Sequence, residues 1–344
     1  MRQGLSIELA TMLYALTYIP YVVLTRMMAT TDDAQLGRPL TGLEILPGML
    51  IVAAFLTVLF FFLSGWARDV QRVQIGGFAL PFATRWTFWS GIFTALILVT
   101  VPLSYTFTNV SIPFMQLLMR GDVLIIAPLV DMVGGRRVRW WSWVALGLVA
   151  FAILVAFQAR EEFGLPLMAV VTIILYTIGY FGRLFIMTRR AKSEDRAELR
   201  RYFSEEKIVA FPVTLLVLAA IAAAGGAQQS EELYWGFVHV WTSSQLPYVA
   251  LCGAAVCLTG VLSALILLDH RENSYCVPLE RSASILAGIA GSILLALAFG
   301  VKSPSMAEYV GAGILIVALV ILSIAPRRAA RREVEAKLAA EAVS

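Results

Sequence analysis

Leu50-Ile51-Val52-Ala53-Ala54-Phe55-Leu56-Thr57-Val58-Leu59-Phe60-Phe61-Phe62-Leu63 carries no charge and does not alternate between apolar and polar residues. Leu286 to Phe299, near the other end of the chain, reads the same way. Strands of an outer-membrane barrel alternate over about ten residues, so unbroken runs of this kind point to helices lying in hydrocarbon. Composition agrees: 59% of the 344 residues are hydrophobic, only 15% are charged, and mean hydropathy is +0.80. That apolar content is enough for about ten spans of ~20 residues each. A soluble α/β core, a coiled coil and a disordered chain are excluded. The expected class is an all-α membrane protein.

Ten spans follow from the runs, at 5–27, 45–65, 86–106, 109–131, 140–157, 165–188, 208–225, 246–268, 275–299 and 308–325. The first of them is too long for a cleavable leader and no small-residue cleavage site follows, so it is expected to stay as a helix. Lysines and arginines test the count, because cytoplasmic loops retain positive charge. With the N-terminus inside, twenty of the 27 fall on the inner side and four on the outer side. Arg120, Arg183 and Arg281 lie within spans. This places both termini in the cytoplasm and the chain in a cytoplasmic membrane, with bacteria as the expected source. The pI of about 9.0 then reflects topology and anionic lipid, with no need for nucleic acid. Segments 189–207 and 326–344, rich in charge and helix formers, are expected as surface helices. Cys252, Cys257 and Cys276 sit in apolar settings and read as core thiols; with two histidines in all, neither a metal site nor a cofactor is expected.

The two halves align with a shift near 165 residues. Leu13-Tyr14-Ala15-Leu16-Thr17-Tyr18 matches Leu175-Tyr176-Thr177-Ile178-Gly179-Tyr180, Asn109 to Pro113 matches Asn273 to Pro278 with one insertion, and Val144 to Gly147 matches Val310 to Gly313. Five spans per half is an odd number, so the second half enters the membrane inverted. The expected units are 1–157, 158–326 and a charged tail 327–344, with a binding site at midplane between the repeats. Short turns at Thr106 to Ser111 and Asp269 to Ser274 fit as gates at opposite faces.

With Met115-Gln116-Leu117-Leu118-Met119-Arg120-Gly121, the segment Glu272 to Ile285 and the glycine-containing fifth and tenth spans, the chain resembles the drug/metabolite transporter superfamily of ten-helix carriers, including its EamA-like and nucleotide-sugar-transporter-like members. The resemblance covers most of the chain and implies a 5+5 inverted repeat working by alternating access. Arg281 is placed like an arginine on the ninth helix of the sugar-phosphate and nucleotide-sugar branches, where a lysine precedes it; Glu280 stands there instead. The resemblance therefore identifies the fold and leaves the cargo open.

Arg120 falls near the middle of its span, where an isolated arginine costs at least ~2.5 kcal/mol, so it must face protein or water. Gln116, four residues earlier, shares its helical face. Two readings stand side by side for Arg120: a cation for an anionic cargo, or a buried ion pair with Glu280 or Asp122. Tyr176, Tyr180 and Arg183 share one face of span 6, as Tyr14, Tyr18 and Tyr21 do on span 1. Facing tyrosine stripes could hold a sugar-like or ring-bearing solute; equally, they could belong to interfacial belts, with Arg183 snorkelling toward the basic loop. Glu280, Ser284, Gly288 and Ser292 recur every four residues on span 9, a packing seam whose carboxylate could couple protons or pair with Arg281.

No Gly-x4-Gly-Lys-[Ser/Thr] occurs, so energy is expected from gradients or exchange. The expected function is a non-enzymatic secondary transporter or antiporter of a small organic solute, anionic or sugar/phosphate-linked, acting as a monomer or homodimer. The alternatives are an exporter of amino acids, drugs or a lipid-linked intermediate and, at the far end of the scale, a membrane-embedded transferase built around Asp269-His270-Arg271-Glu272.

Overall fold

The computed structural model describes residues 6–75, 78–121, 140–158, 165–190, 195–267, 273–301 and 303–343. They fold almost entirely as helices: α1 Ile7–Met28, α2 Gly42–Ser64, α3 Arg85–Thr106, α4 over 112–121, α5 Trp140–Gln158, α6 Leu167–Arg190, α7 Arg196–Ala224, α8 Gln228–Val238, α9 Leu246–Leu267, α10 Asn273–Phe299 and α11 Met306–Val343. Seven of these, α1, α2, α3, α6, α7, α9 and α10, are long and apolar enough to cross a bilayer. Of the three remaining expected spans, α5 and α11 contain shorter apolar stretches, 143–155 and 306–318. Half of the fourth expected span, together with Asp122, lies outside the described residues. So do most of the turn at Asp269 to Ser274 and the Asp269 to Glu272 cluster.

Helix starts follow from local chemistry. Ser6, Thr41 and Thr84 each turn a hydroxyl onto a backbone N–H of the following turn, at Leu9, Glu44 and Thr87. At α2 the Glu44 carboxylate returns the bond to the Thr41 N–H at 2.8 Å, closing a capping box, and also pairs with Arg38 at 2.6 Å. Gly65 ends α2 in the left-handed region with φ 78°. Two short strands, β1 Arg72–Ile75 and β2 Phe78–Pro81, form an antiparallel hairpin between α2 and α3, with Val73 opposite Leu80.

Burial is inverted relative to a soluble protein. Leu297, Leu63 and Phe62 are at least 72% exposed, whereas Glu205, Glu206, Glu280 and Arg281 are all 4% exposed or less. In water such a surface would aggregate; against lipid it is the favourable arrangement, and polar groups belong inside. The protein is thus a multi-pass helical membrane protein. Within the bundle, α1 packs on α9 and α10, α3 on α6 and α7, α2 on α9, and α5 on α11. Gly288 of α10 admits the Gln116 amide of α4, since a Cβ there would overlap it.

Three expectations are corrected here. The segment before span 7 is no separate surface helix: from its Asp195 cap, α7 runs to Gly225 as one helix that continues through Pro212. It thereby carries Glu205, Glu206 and Lys207 into the bundle. Likewise 326–343 continues α11 rather than forming a helix of its own. Arg26, which with Arg38, Arg160 and Lys302 makes up the four expected outer charges, is buried at the end of α1 and donates to the carbonyls of Tyr105, Phe107, Thr108 and Val110, clasping the α3–α4 turn. Nearby, Asp33 ties the α1–α2 loop to the start of α9. Burial there works against its charge, but donors from Ser244, Ser243 and the Gln35 and Leu36 N–H groups prevail and hold the carboxyl down at about 2.

Candidate functional site

α1 and α6 bring their tyrosine stripes to opposite walls of one cavity of about 110 Å³. The four-residue spacing puts Tyr14 and Tyr18 on one face of α1, and Tyr176 and Tyr180 on one face of α6, and all four are buried. Tyr176 and Tyr180 stack with ring centroids 5.9 Å apart. Arg120 of α4 and Glu280 and Arg281 of α10 complete this part of the lining.

Arg120 is 4% exposed and sits between the stripes. Its Nη1 donates to the Tyr176 hydroxyl and its Nη2 to the Tyr18 hydroxyl at 2.6 Å. The Tyr18 hydroxyl in turn lies 2.6 Å from that of Tyr105, a residue of α3. Of the two readings for Arg120, the ion pair with Glu280 is not formed. Among the described residues the Arg120 partners are phenols, which leave its charge uncompensated. Arg281 lies over the Tyr180 ring at 3.8 Å, and its Nε stands 3.4 Å from Glu280 Oε2. Glu280 Oε1 accepts from the Tyr14 hydroxyl at 3.0 Å and from Ser263 of α9 at 3.1 Å. At this end of the chamber two guanidiniums, Arg120 and Arg281, thus face one carboxylate, Glu280.

Two expected site residues take other roles. Arg183 does border the cavity, but its charge is taken: Nε reaches Glu206 Oε1 at 2.6 Å and Nη2 reaches Oε2 at 3.4 Å. Thr94 of α3 donates to the same Glu206 oxygen. Gln116 is not on the cavity wall; its amide nitrogen donates to the Ser284 carbonyl at 3.2 Å and approaches the Tyr105 hydroxyl at 3.5 Å, tying α4 to α10. The Ser284–Gly288 seam is therefore packing, as its spacing suggests.

Tyr105, Ser263, Glu206 and Lys207 belong to the site or border it and escape the sequence reading. For Lys207 a signal exists: Phe203, Lys207 and Phe211 recur at four-residue steps, so a continuous helix aligns all three. Among the described residues no group of three or more histidine, cysteine or acidic side chains is placed to hold a metal. Neither a protein-family model nor a curated protein matches the chain.

Proposed function

We propose that this protein is a secondary transporter of a small organic anion, not an enzyme, working by alternating access about the Arg120–Arg281 chamber. The carrying observation is the partnering of Arg120: a guanidinium buried among membrane helices and held on two phenols has a place for an anion that no acidic side chain among the described residues fills. Such a cation is costly to keep and typically marks a substrate or ion path. Glu280 acts as the resident counter-ion, sharing Arg281 when cargo is absent and yielding it when cargo arrives. Exchange or a proton gradient supplies the energy.

The inverted-repeat architecture of the drug/metabolite transporter superfamily is part of this proposal: ten spans, two five-helix units at 1–157 and 158–326, and both termini cytoplasmic. The packing supports it. Under a two-fold relating the units, α1 corresponds to α6, α2 to α7 and α3 to α9; the observed α1–α9 contact then has its mate in α6–α3, and α2–α9 in α7–α3. The α5–α11 contact falls on the axis. The site follows the same rule: Tyr18 of α1 meets Arg120 of α4, and Tyr180 of α6 meets Arg281 of α10. In this state Arg26 seals the end of the bundle where α1 finishes, while the cavity lining continues to the other side through Thr94, Arg183 and Lys207.

The test is a thermal-shift screen of purified protein against anionic, neutral and cationic solutes, since a ligand that binds only the folded state raises its apparent stability. Anions should stabilise the wild type and fail to stabilise Arg120→Met. Stabilisation by neutral or cationic solutes alone would refute the proposal.

A further inference from the structure

The chamber has a second cationic pole, on α7. Lys207 is 8% exposed and lines the same cavity as Arg120 and Arg281. Its ammonium lies 5.4 Å from the Phe203 ring centroid and 5.8 Å from that of Phe211, so the two rings brace the side chain from either side. The neighbouring Glu206 is engaged by both Nε and Nη2 of Arg183 and by Thr94. Among the described residues Lys207 makes no hydrogen bond or ion pair. A buried ammonium beside aromatic faces, whose nearest carboxylate, Glu206, is already bonded to Arg183 and Thr94, is well placed for an anion.

Distance along α6 gives the separation of the two poles. Arg120 is bonded to Tyr176, whereas the Arg183–Glu206 pair beside Lys207 lies seven residues further on. At 1.5 Å per residue Arg120 stands about 10 Å along the axis from that pair, and Arg281, over Tyr180, about 5 Å from it. The lining includes the aliphatic side chains of Ile97, Leu98, Val101 and Val256, with hydroxyls at Thr57 and Thr259. One short anionic group on Arg120 cannot also reach Lys207, and the aliphatic side chains of the lining suit methylenes.

We infer that the cargo is a two-headed organic anion, with one anionic end on Arg120 and Arg281, the other on Lys207, and an aliphatic spacer between. This rests on the anion-transport reading above and adds the shape of the cargo to it. The probes are α,ω-dicarboxylates from succinate to sebacate and the monoamide of each, which keeps length and polarity and loses one charge. Thermal-shift titration of wild-type protein should show a preference for diacid over monoamide of at least tenfold, greatest at intermediate length, from adipate to suberate. Lys207→Met should abolish that preference with monoamide binding retained, and Lys207→Arg should keep it. Equal binding of diacid and monoamide by the wild type would overturn the inference, as would Lys207→Met with the preference intact. If Lys207→Met does not fold, the wild-type comparison still decides. Failure of the underlying reading looks different: monoamides would then bind Arg120→Met as well as they bind wild type.

Discussion

Glu280→Gln should tighten anion binding while slowing turnover. The Gln carbonyl can still accept from Tyr14 and Ser263, which now meet Glu280 Oε1 at 3.0 and 3.1 Å, so the local fold has its bonds. What changes is the other oxygen, 3.4 Å from Arg281 Nε. A cargo anion on the far side of Arg281 would lie roughly 6 Å from that carboxylate; at an effective dielectric of about 20 the repulsion it escapes is about 2–3 kcal/mol. Affinity should therefore rise roughly 30- to 150-fold. Release should slow correspondingly, because Glu280 is no longer present as a charge to reclaim Arg281. Isothermal titration of the purified variant with an anion found by thermal shift reads the affinity, and counterflow in proteoliposomes reads the rate. Unchanged or weaker anion binding in a well-folded Glu280→Gln protein would refute the counter-ion role.

Other consequences concern stability. Arg183→Ala leaves Glu206 buried without its cation and should cost about 3–5 kcal/mol in an unfolding titration, with Arg183→Ala/Glu206→Ala recovering part of the loss. Gly288→Val forces a side chain into the Gln116 amide and should cost about 1–3 kcal/mol, part of it returned by Gln116→Ala, again read by unfolding. Asp33 titrates at about 2 in the fold against 3.8 when unfolded, so its contribution is complete above about pH 4 and is lost as pH falls toward 2. Asp33→Asn should lower stability at neutral pH by about 1–2 kcal/mol and remove that acid-side slope, measured as melting temperature against pH.

The parts of this site that were legible in the sequence are those fixed by spacing on one helix. Tyr14 with Tyr18 and Tyr176 with Tyr180 share faces whatever surrounds them, and an arginine in mid-span, as at Arg120, must turn inward. Partners that depend on packing between helices were not legible. Arg183 meets Glu206 only because α6 and α7 lie side by side, and Arg120 chooses phenols over Glu280 only because α4 fits between α1 and α6. Glu206 and Lys207 were missed for a different reason: a charged half-helix falls below any hydropathy threshold, so their stretch of α7 reads as a surface helix although they are inside the bundle. The four-residue strands and the eleven-residue α8 are too short and too weakly patterned to register against neighbouring spans.

Access to the chamber from both faces is the most direct test. In a protein with Cys252, Cys257 and Cys276 replaced and Ser263→Cys introduced on the cavity wall beside Glu280, a membrane-impermeant thiol reagent is applied to either side of sealed vesicles. The account predicts labelling from each side in turn, and protection by a bound anion from both. A thiol that reacts from one face alone, or from neither, would contradict it.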